Sequence, residues 1–271
     1  MGKRRDPTLG VAFGGGAARG FAHIGVIKVL EGVGIRADYV SGTSVGSVIA
    51  ALYCGGYSYE QLFSIVKDIK WNDLLQFQLG KGGVFLPDKM EQLLDELLGE
   101  KQFADLDIPL SVTAVDVDTG EQVVLNSGSV ARAVRASATV PGVFVPLEID
   151  GRLLIDGGMV NSLPGDVVKE MGSDVVLGIN LNGGRVQEKE TKRALQIVKN
   201  TFNIIVNNNM QMGKRHVDIM VEPDIGAFSY SSLRPRLKLI DRGEAAMQTE
   251  LPRLQALLEQ KRSEERRVGK E

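Results

Sequence analysis

Short apolar runs alternate with longer segments of helical spacing along most of the chain. The run LGVAF at 9–13 is wholly apolar and stops at glycines, while FAHIGVIKVLEG at 21–32 repeats its apolar residues at helical intervals. This order predicts a strand, a tight turn and a helix. The runs ADYVS at 37–41 and DVVLGIN at 174–180 predict two more strands of the buried type.

Three further segments have the features of helices. SVIAALYC at 47–54 is nearly all apolar over a helical length, which predicts a helix buried on most sides. Ser58 with Gln61 has the spacing of a capping box for the following segment. Pro87 with Asp88 is typical of the start of another helix.

Two segments have the pattern of strand pairs joined by tight turns. PLSVTAVDVDTGEQVVLNSG turns at 118–120, and VFVPLEIDGRLLID turns at 150–151. Strands interleaved with helices are typical of a largely parallel sheet covered by helices. We therefore predict an α/β layered fold whose central sheet is mostly parallel and carries hairpin additions.

Composition limits the organisation of the chain. With 271 residues, of which 43% are hydrophobic, the chain can bury one sizeable core, and no gap in composition divides it. We expect one domain over residues 9–250. Residues 1–8 and 263–271 are highly charged with almost no apolar content, so we expect both ends to be disordered.

Charge and cysteine content exclude several classes of protein. The formal net charge of -2 gives no overall attraction to nucleic acid or to an anionic membrane. The single cysteine, Cys54, excludes an internal disulfide and lies in an apolar run, which predicts a buried thiol. No Cys or His spacing indicates a metal site. The apolar stretch after the basic start is too short for a signal peptide or a spanning helix, so we expect a cytoplasmic location.

The segment GTSVG places Ser44 between Gly42 and Gly46, with a predicted strand before it and a predicted helix after it. This is the context of a nucleophile elbow, in which a strained turn presents the serine hydroxyl. Glycines on either side remove Cβ atoms that would block the close approach of strand and helix. The N–H of Val45, at the start of the helix, is free to donate to an oxyanion.

The glycine-rich segment GGGAARG, residues 14–20, lies between the first strand and the first helix. Its backbone N–H groups suit either a phosphate or a developing oxyanion. A dinucleotide-binding fingerprint needs its third glycine where Arg19 stands, and Gly20 comes one residue late. We therefore favour an oxyanion loop, with nucleotide binding as the alternative.

The proton acceptor for Ser44 is the open question, because the chain holds only two histidines. The apolar neighbours of His23 suggest that its side chain packs in the core. His216 has no acidic partner nearby in the sequence, although the serine, acid, histidine order of hydrolase triads would allow it to be the base. The segment DGGMVNSLP offers Asp156, with Gly157 and Gly158, directly after a predicted strand.

Taken together, GGGAARGFAHIGVI, GTSVGSVIAALY, RASATVPGVFVPLEIDGRLLIDGG and DGGMVNSLP resemble the patatin-like phospholipases, in particular their bacterial branch related to neuropathy target esterase. The resemblance runs from about Leu9 to about Pro223. It implies a three-layer α/β/α sandwich and a lipid acyl hydrolase that uses a Ser-Asp dyad, with no histidine, metal or cofactor in the chemistry. It places the following residues in the site: nucleophile Ser44, base Asp156, oxyanion loop Gly15, Gly16, Ala17 and Arg19.

Two details of that site follow from its chemistry. Ala17 stands where the usual pattern has a third glycine, and since the donors are backbone N–H groups, the methyl narrows the oxyanion hole without abolishing it. A free aspartate, with a pKa of about 3.9, is a poor base for a hydroxyl, so Asp156 must be desolvated. We expect Arg19 to tether the loop containing Gly14 and Gly20.

The substrate is defined only as a class. Segments 71–87 and 140–146 mix large apolar residues with turns and are candidates to border an acyl-chain groove. Phospholipid, lysophospholipid and simple acyl ester are all compatible with the residues, as is transient contact with a membrane surface. We expect no nucleic-acid partner. The alternatives from other classes are a nucleotide-binding module and a catalytically silent interaction protein.

Overall fold

The computed structural model of the chain describes residues 6–68, 76–79, 85–86, 88–182, 194–230 and 232–268. Its strands, in chain order, are β1 (Leu9–Phe13), β2 (Tyr39–Thr43), β3 (Gln76–Leu79), β4 (Phe85–Leu86), β5 (Leu110–Asp116), β6 (Gln122–Leu125), β7 (Leu147–Ile149), β8 (Arg152–Asp156), β9 (Val175–Ile179) and β10 (Ile219–Val221). Its α-helices are α1 (Ala22–Gly32), α2 (Val45–Cys54), α3 (Tyr59–Asp68), α4 (Asp88–Leu98), α5 (Val130–Ser137), α6 (Gly165–Glu170), α7 (Ala194–Gly213) and α8 (Arg236–Val268).

One mixed sheet forms the centre of the molecule. Its strand order is β10-β9-β1-β2-β5-β8-β7, with β6 also paired to β5. The five strands from β10 to β5 pair in parallel, whereas β6, β7 and β8 pair antiparallel. The prediction of a mostly parallel sheet with hairpin additions is therefore confirmed. A separate two-stranded sheet is made by β3 and β4.

Helices cover both faces of this sheet. In β1, the side chains of Leu9, Val11 and Phe13 enter a large core shared with α1, α2, α3, α5 and α8. Ala12 points the other way, into a smaller core that contains Val168 of α6 and Met210 of α7. Alternate residues of a strand face opposite sides, so a wholly apolar strand requires cover on both. The three-layer α/β/α sandwich is confirmed.

Most elements predicted from the sequence occur at the predicted places. The two predicted hairpins are β5–β6 and β7–β8. The capping box before α3 is present, because the Ser58 N–H donates to Gln61 Oε1 at 2.9 Å. The apolar helix after the serine, α2, is buried over most of its length. The helix predicted after Pro87 begins at Asp88.

The ends of the chain differ from the prediction. Helix α8 continues to Val268, so residues 263–268 are helical where disorder was predicted, and 269–271 lie outside the described residues. Charges spaced by three residues, such as Lys261 with Glu264, support a helix without an apolar face. At the other end, the Thr8 N–H donates to Asp174 Oδ2 at 2.7 Å, which fixes that residue beside the sheet. Residues 1–5 are not described.

The composition also led to expectations about the cysteine, metal sites and membrane-spanning helices. Cys54 is buried as predicted, and burial raises the pKa of its thiol well above the usual range. Within the described ranges, no three His, Cys, Asp or Glu side chains are grouped so that they could hold a metal ion. None of the helices described here combines the length and the apolar character needed to cross a bilayer.

Candidate active site

Ser44 lies at a sharp turn between β2 and α2. Its backbone has φ of 54° and ψ of -127°, a conformation that L-residues rarely adopt and that surrounding contacts must hold in place. The Ser44 N–H donates to Ser137 Oγ at 2.8 Å, and the Ser44 carbonyl accepts from Ser47 Oγ at 2.6 Å. The strained turn that the sequence predicted is therefore present and is fixed by hydrogen bonds on both sides.

Glycines pack the turn closely against its neighbours. A Cβ on Gly46 would lie 2.1 Å from the Phe13 carbonyl oxygen, and one on Gly42 would lie 2.6 Å from Ser47 Cα. Since both obstacles are backbone atoms, no larger residue fits. At four more glycines of the site, an added Cβ would also lie within 3.0 Å of another atom of the protein: Gly14, Gly16, Gly20 and Gly157.

The pairing of β5 brings the ends of β2 and β8 together. Thr43 of β2 pairs with Thr113, and Asp156 of β8 pairs with the next residue, Ala114. Strand β6 occupies one edge of β5 along 112–115, so β2 and β8 must share the other edge. Along that edge, β2 and β8 run towards each other, and they end opposite consecutive residues of β5. Ser44, which follows Thr43, therefore meets Asp156 at this junction, and both line the same cleft.

Asp156 is fully buried and only partly hydrogen-bonded. Its Oδ1 accepts the Gly158 N–H at 2.8 Å, while Oδ2 has no hydrogen bond of ordinary geometry among the described residues. Burial raises the pKa of this carboxyl from 3.8 to about 7, and the Ser44 hydroxyl and the Gly158 N–H offset part of that rise. The group can thus accept or release a proton near neutral pH.

The glycine loop presents fewer free donors than the sequence predicted. The Gly15 N–H already donates to the Ser162 carbonyl at 2.9 Å, so it cannot serve an oxyanion. The N–H groups of Gly16 and Ala17 make no backbone hydrogen bond within the described part of the chain, and neither does that of Val45, at the first position of α2. All three remain as candidate donors beside Ser44.

Arg19, within the glycine loop, contacts segments that lie much later in the chain. Its side chain is fully buried and donates to the carbonyls of Leu181 and Phe228 and to the Tyr230 hydroxyl, at 2.9 to 3.1 Å. The guanidinium also stacks 3.9 Å from the centre of the Tyr230 ring. Every one of these contacts joins the loop to later parts of the chain. These are the contacts expected of a side chain that tethers the loop.

The two histidines lie away from the reacting groups. His23 is fully buried, its Nε2 donates to the Gly14 carbonyl at 2.8 Å, and burial lowers its pKa to about 4. It packs edge-on against Phe13, as a core side chain does. His216 is exposed, in a short 3₁₀ turn after α7, and does not line the cleft. Neither ring is placed to take a proton from Ser44.

The other wall of the cleft comes from parts of the chain that no motif identified. Val140 lies within the predicted groove segment 140–146, whereas most of the other candidate segment, 71–87, lies outside the described residues. Residues distant in sequence that also line the cleft are Asn182, Phe202, Asn203, Val206 and Tyr230. They have no recognisable spacing relative to Ser44, so only the fold could place them there.

Comparison with known proteins identifies the family. The sequence profile described as "Patatin-like phospholipase" matches residues 11–168, more than half of the chain. The chain belongs to the patatin-like phospholipase family. This assignment agrees with the resemblance found in the sequence, and the matched region contains both Ser44 and Asp156. The family is one of lipid ester hydrolases.

Several curated relatives carry related names. An uncharacterised NTE family protein of Mycobacterium tuberculosis is 31% identical over 181 residues, which are 66% of this chain and 50% of that protein. Human patatin-like phospholipase domain-containing protein 6 is 34% identical over 64% of this chain and 13% of its own length. Neuropathy target esterase sws of Drosophila melanogaster is 31% identical over the same shares. The chain thus spans half or less of these relatives.

Solved structures share the fold. VipD from Legionella pneumophila superposes with a TM-score of 0.64 and 14% identity, over 91% of this chain and 67% of that one. The type III effector ExoU superposes with a TM-score of 0.51 and 16% identity, over 95% of this chain and 54% of its own. At such identities these matches show the architecture alone.

Proposed function

We propose that this protein is a serine acyl hydrolase that cleaves carboxylic esters of lipids, with Ser44 as the nucleophile and Asp156 as its base. One observation carries the proposal: the serine at the strained turn meets a fully buried aspartate whose pKa is about 7 and whose Oδ2 makes no hydrogen bond of ordinary geometry among the described residues. Membership of the phospholipase family supports the same reaction class, as do the names of two relatives, one a phospholipase domain-containing protein and the other an esterase.

The geometry supports a two-step reaction. Ser44 Oγ attacks the ester carbonyl carbon while its proton passes to Asp156, and the carbonyl oxygen becomes an oxyanion. When the tetrahedral intermediate collapses, the C–O bond to the alcohol breaks and Asp156 returns the proton to that alcohol. Water, deprotonated by Asp156, then attacks the acyl-serine ester, releases the fatty acid and restores the Ser44 hydroxyl.

The oxyanion is stabilised by backbone donors. We assign this role to the N–H groups of Gly16, Ala17 and Val45, which make no backbone hydrogen bond within the described part of the chain, and Val45 adds the positive end of the α2 dipole. Removing one such donor costs roughly 3 kcal/mol in transition-state stabilisation in comparable hydrolases. A base with pKa of about 7 also matches the acid–base demands of the reaction better than a free aspartate would.

Covalent labelling tests the proposal. The wild-type protein is treated with a fluorophosphonate probe and digested, and the modified peptide is located by mass spectrometry. We expect one tag, on Ser44, and none in the Ser44→Ala variant, whose hydrolysis of a short p-nitrophenyl ester is also lost. A folded wild-type protein that neither reacts with the probe nor turns over the ester is a catalytically silent member, and the proposal fails.

A nucleotide-binding role gains no support from the site. The position where a dinucleotide fingerprint needs its third glycine is filled by Arg19, and that side chain is buried behind the loop. Two of the loop glycines, Gly14 and Gly15, use their N–H groups within the protein.

A further inference from the structure

Asn182 follows strand β9 and lies beside the glycine loop. Strand β9 pairs in parallel with β1, with Ile179 opposite Phe13, so the segments that follow the two strands leave the sheet at the same edge. The Gly14 N–H continues this pairing, because it donates to the Ile179 carbonyl at 3.1 Å. Asn182 comes shortly after the end of β9 and lines the cleft together with the loop.

Both polar groups of the Gly15 backbone are hydrogen-bonded. Asn182 Nδ2 donates to the Gly15 carbonyl at 3.0 Å and to Ser162 Oγ at 3.2 Å. The Gly15 N–H donates to the Ser162 carbonyl at 2.9 Å. A carbonyl oxygen can only accept, so the atom of Asn182 that faces it must be the nitrogen of the amide. Gly15 is thus held on one side by Ser162 and on the other by Asn182.

The hydrogen bond to the Gly15 carbonyl also sets the direction of the next N–H. The Gly15 carbonyl and the Gly16 N–H belong to one peptide group, which is planar and trans, so the two point in opposite directions. A donor that holds the carbonyl on one side therefore turns the N–H to the other. It also polarises the peptide group, which makes the N–H a stronger donor. The loop lies close to the serine, since a Cβ on Gly15 would be 3.5 Å from Ser44 Cβ.

The Asn182 side chain is itself held in one orientation. Its Oδ1 accepts from the Tyr230 hydroxyl at 3.2 Å, and that hydroxyl accepts from Arg19 at 2.9 Å. The Asn182 backbone N–H donates to Asn180 Oδ1 at 2.8 Å. The side-chain amide has two protons and makes two hydrogen bonds as a donor, so it keeps none for a substrate. These contacts suit a side chain that positions the loop rather than one that binds the substrate.

We propose that Asn182 is a positioning residue of the hydrolysis: its hydrogen bond to the Gly15 carbonyl turns the Gly16 N–H towards the oxyanion that forms beside Ser44. The inference rests on the proposed function, because it gives Asn182 a part in stabilising that oxyanion. An interaction that acts only once the charge has formed lowers the barrier without tightening substrate binding. Its loss therefore lowers kcat and leaves KM unchanged, which the loss of a purely structural hydrogen bond does not do.

Ester kinetics with the full chain test this role. Asn182→Ala should lower kcat roughly 10- to 100-fold with KM unchanged, which is less than the loss of a whole oxyanion donor. Asn182→Asp keeps the size of the side chain and should lose at least as much, because a carboxylate cannot donate to the Gly15 carbonyl and its charge opposes the oxyanion. Circular dichroism verifies folding, and the aspartate variant carries the test if the alanine variant does not fold.

The matched control is Ser173→Ala. It also removes a buried hydrogen bond from a side chain to a backbone carbonyl, that of Val168 at 2.7 Å, but Ser173 does not line the cleft. This variant should keep the kcat and the KM of the wild type.

Inhibition by a trifluoromethyl ketone gives a second readout. Its carbonyl carbon bonds to Ser44 Oγ, the serine proton passes to Asp156, and the carbonyl electron pair moves onto oxygen, so the adduct carries the oxyanion and stops there for want of a leaving group. In Asn182→Ala we expect the inhibition constant to rise by about the same factor by which kcat/KM falls. It should stay unchanged in Ser173→Ala.

The outcomes separate the positioning role from the proposed function. Wild-type turnover that Asn182→Ala leaves unchanged, or lowers only through KM, overturns the positioning role and leaves the proposed function standing. An equal fall in kcat for Ser173→Ala has the same meaning, since lost stability would then account for both. Turnover that survives Ser44→Ala overturns the proposed function, and the positioning role with it.

Discussion

The backbone N–H of Ser44 donates to the hydroxyl of Ser137 across 2.8 Å, so the last residue of α5 holds the proposed nucleophile in its strained turn. Ser137 is fully buried and stands in the segment RASATVP, which contains no reacting group. A turn with φ of 54° would relax if this acceptor were lost, because nothing in the local sequence favours that conformation. Ser137 therefore acts as a positioning residue.

Replacing Ser137 by alanine should lower kcat roughly 10- to 100-fold with little change in KM, because a misplaced nucleophile slows the chemical step. The buried Ser44 N–H also loses its acceptor, at a cost of about 1–3 kcal/mol in the free energy of unfolding. Ester kinetics and urea unfolding measure the two effects. The control is Ser41→Ala, which removes a buried hydrogen bond to the Pro164 carbonyl away from the turn. If both variants lower kcat equally, Ser137 has no specific role.

Asp156→Asn should reduce ester turnover by at least about a hundredfold, because the amide keeps the size of the side chain but cannot accept the proton. His23→Gln and His216→Gln serve as comparisons and should each cost far less, since neither ring lines the cleft. Steady-state kinetics on the three variants measure this. A silent but folded His216→Gln enzyme would make imidazole the base and contradict the dyad.

The same Asp156→Asn variant should be more stable than the wild type at high pH. The folded-state pKa of Asp156, about 7, lies above its usual value of 3.8, so the folded protein holds a proton that the unfolded chain releases. This contribution to stability is complete below about pH 4 and is lost as the pH rises to about 7. Three pKa units correspond to about 4 kcal/mol.

Urea unfolding of wild type and Asp156→Asn at a series of pH values measures this difference. We expect the two free energies of unfolding to diverge between about pH 4 and pH 7 in favour of the asparagine variant, and to stay apart above pH 7. Taking the difference removes the contributions of other titrating groups. Parallel curves across that range would show that the pKa of Asp156 is not raised.

Ala17→Gly should stabilise the protein while preserving activity. Ala17 has φ of 47°, a left-handed conformation that costs alanine about 1–2 kcal/mol, and glycine adopts it freely. Because glycine also makes the unfolded chain more flexible, the net gain in the free energy of unfolding should be about 0.5–1 kcal/mol. Glu100→Gly, at φ of 56° outside the cleft, is the control. A large fall in kcat for Ala17→Gly alone would mean that the methyl group shapes the oxyanion hole.

Metal chelation should leave ester hydrolysis unchanged, since every proposed step uses Ser44, Asp156 and backbone N–H groups. Activity is compared before and after treatment with EDTA, with calcium added back as the control. A large loss that calcium restores would require a metal ligand in the site and would contradict the mechanism.

The sequence by itself determined the chemistry-bearing motifs and most of the local structure. Glycines at 42 and 46 permit a close turn, so Ser44, with a predicted strand before it and a predicted helix after it, was recognisable as the candidate nucleophile. Wholly apolar strands such as Leu9–Phe13 required a sheet covered on both faces. These features depend on neighbouring residues and on periodicity, which a sequence displays directly.

Tertiary structure decided which groups meet and in what state. The junction of β2 and β8 on one edge of β5 brings Asp156 to Ser44, and the depth of burial there sets the pKa of the carboxyl. Whether a loop N–H is free depends on distant acceptors, which is why Gly15, bonded to Ser162, is lost as a donor. Helix α7 reaches the cleft from far along the chain. Burial and hydrogen bonding between segments distant in sequence are properties of the packed chain, so no local pattern could predict them.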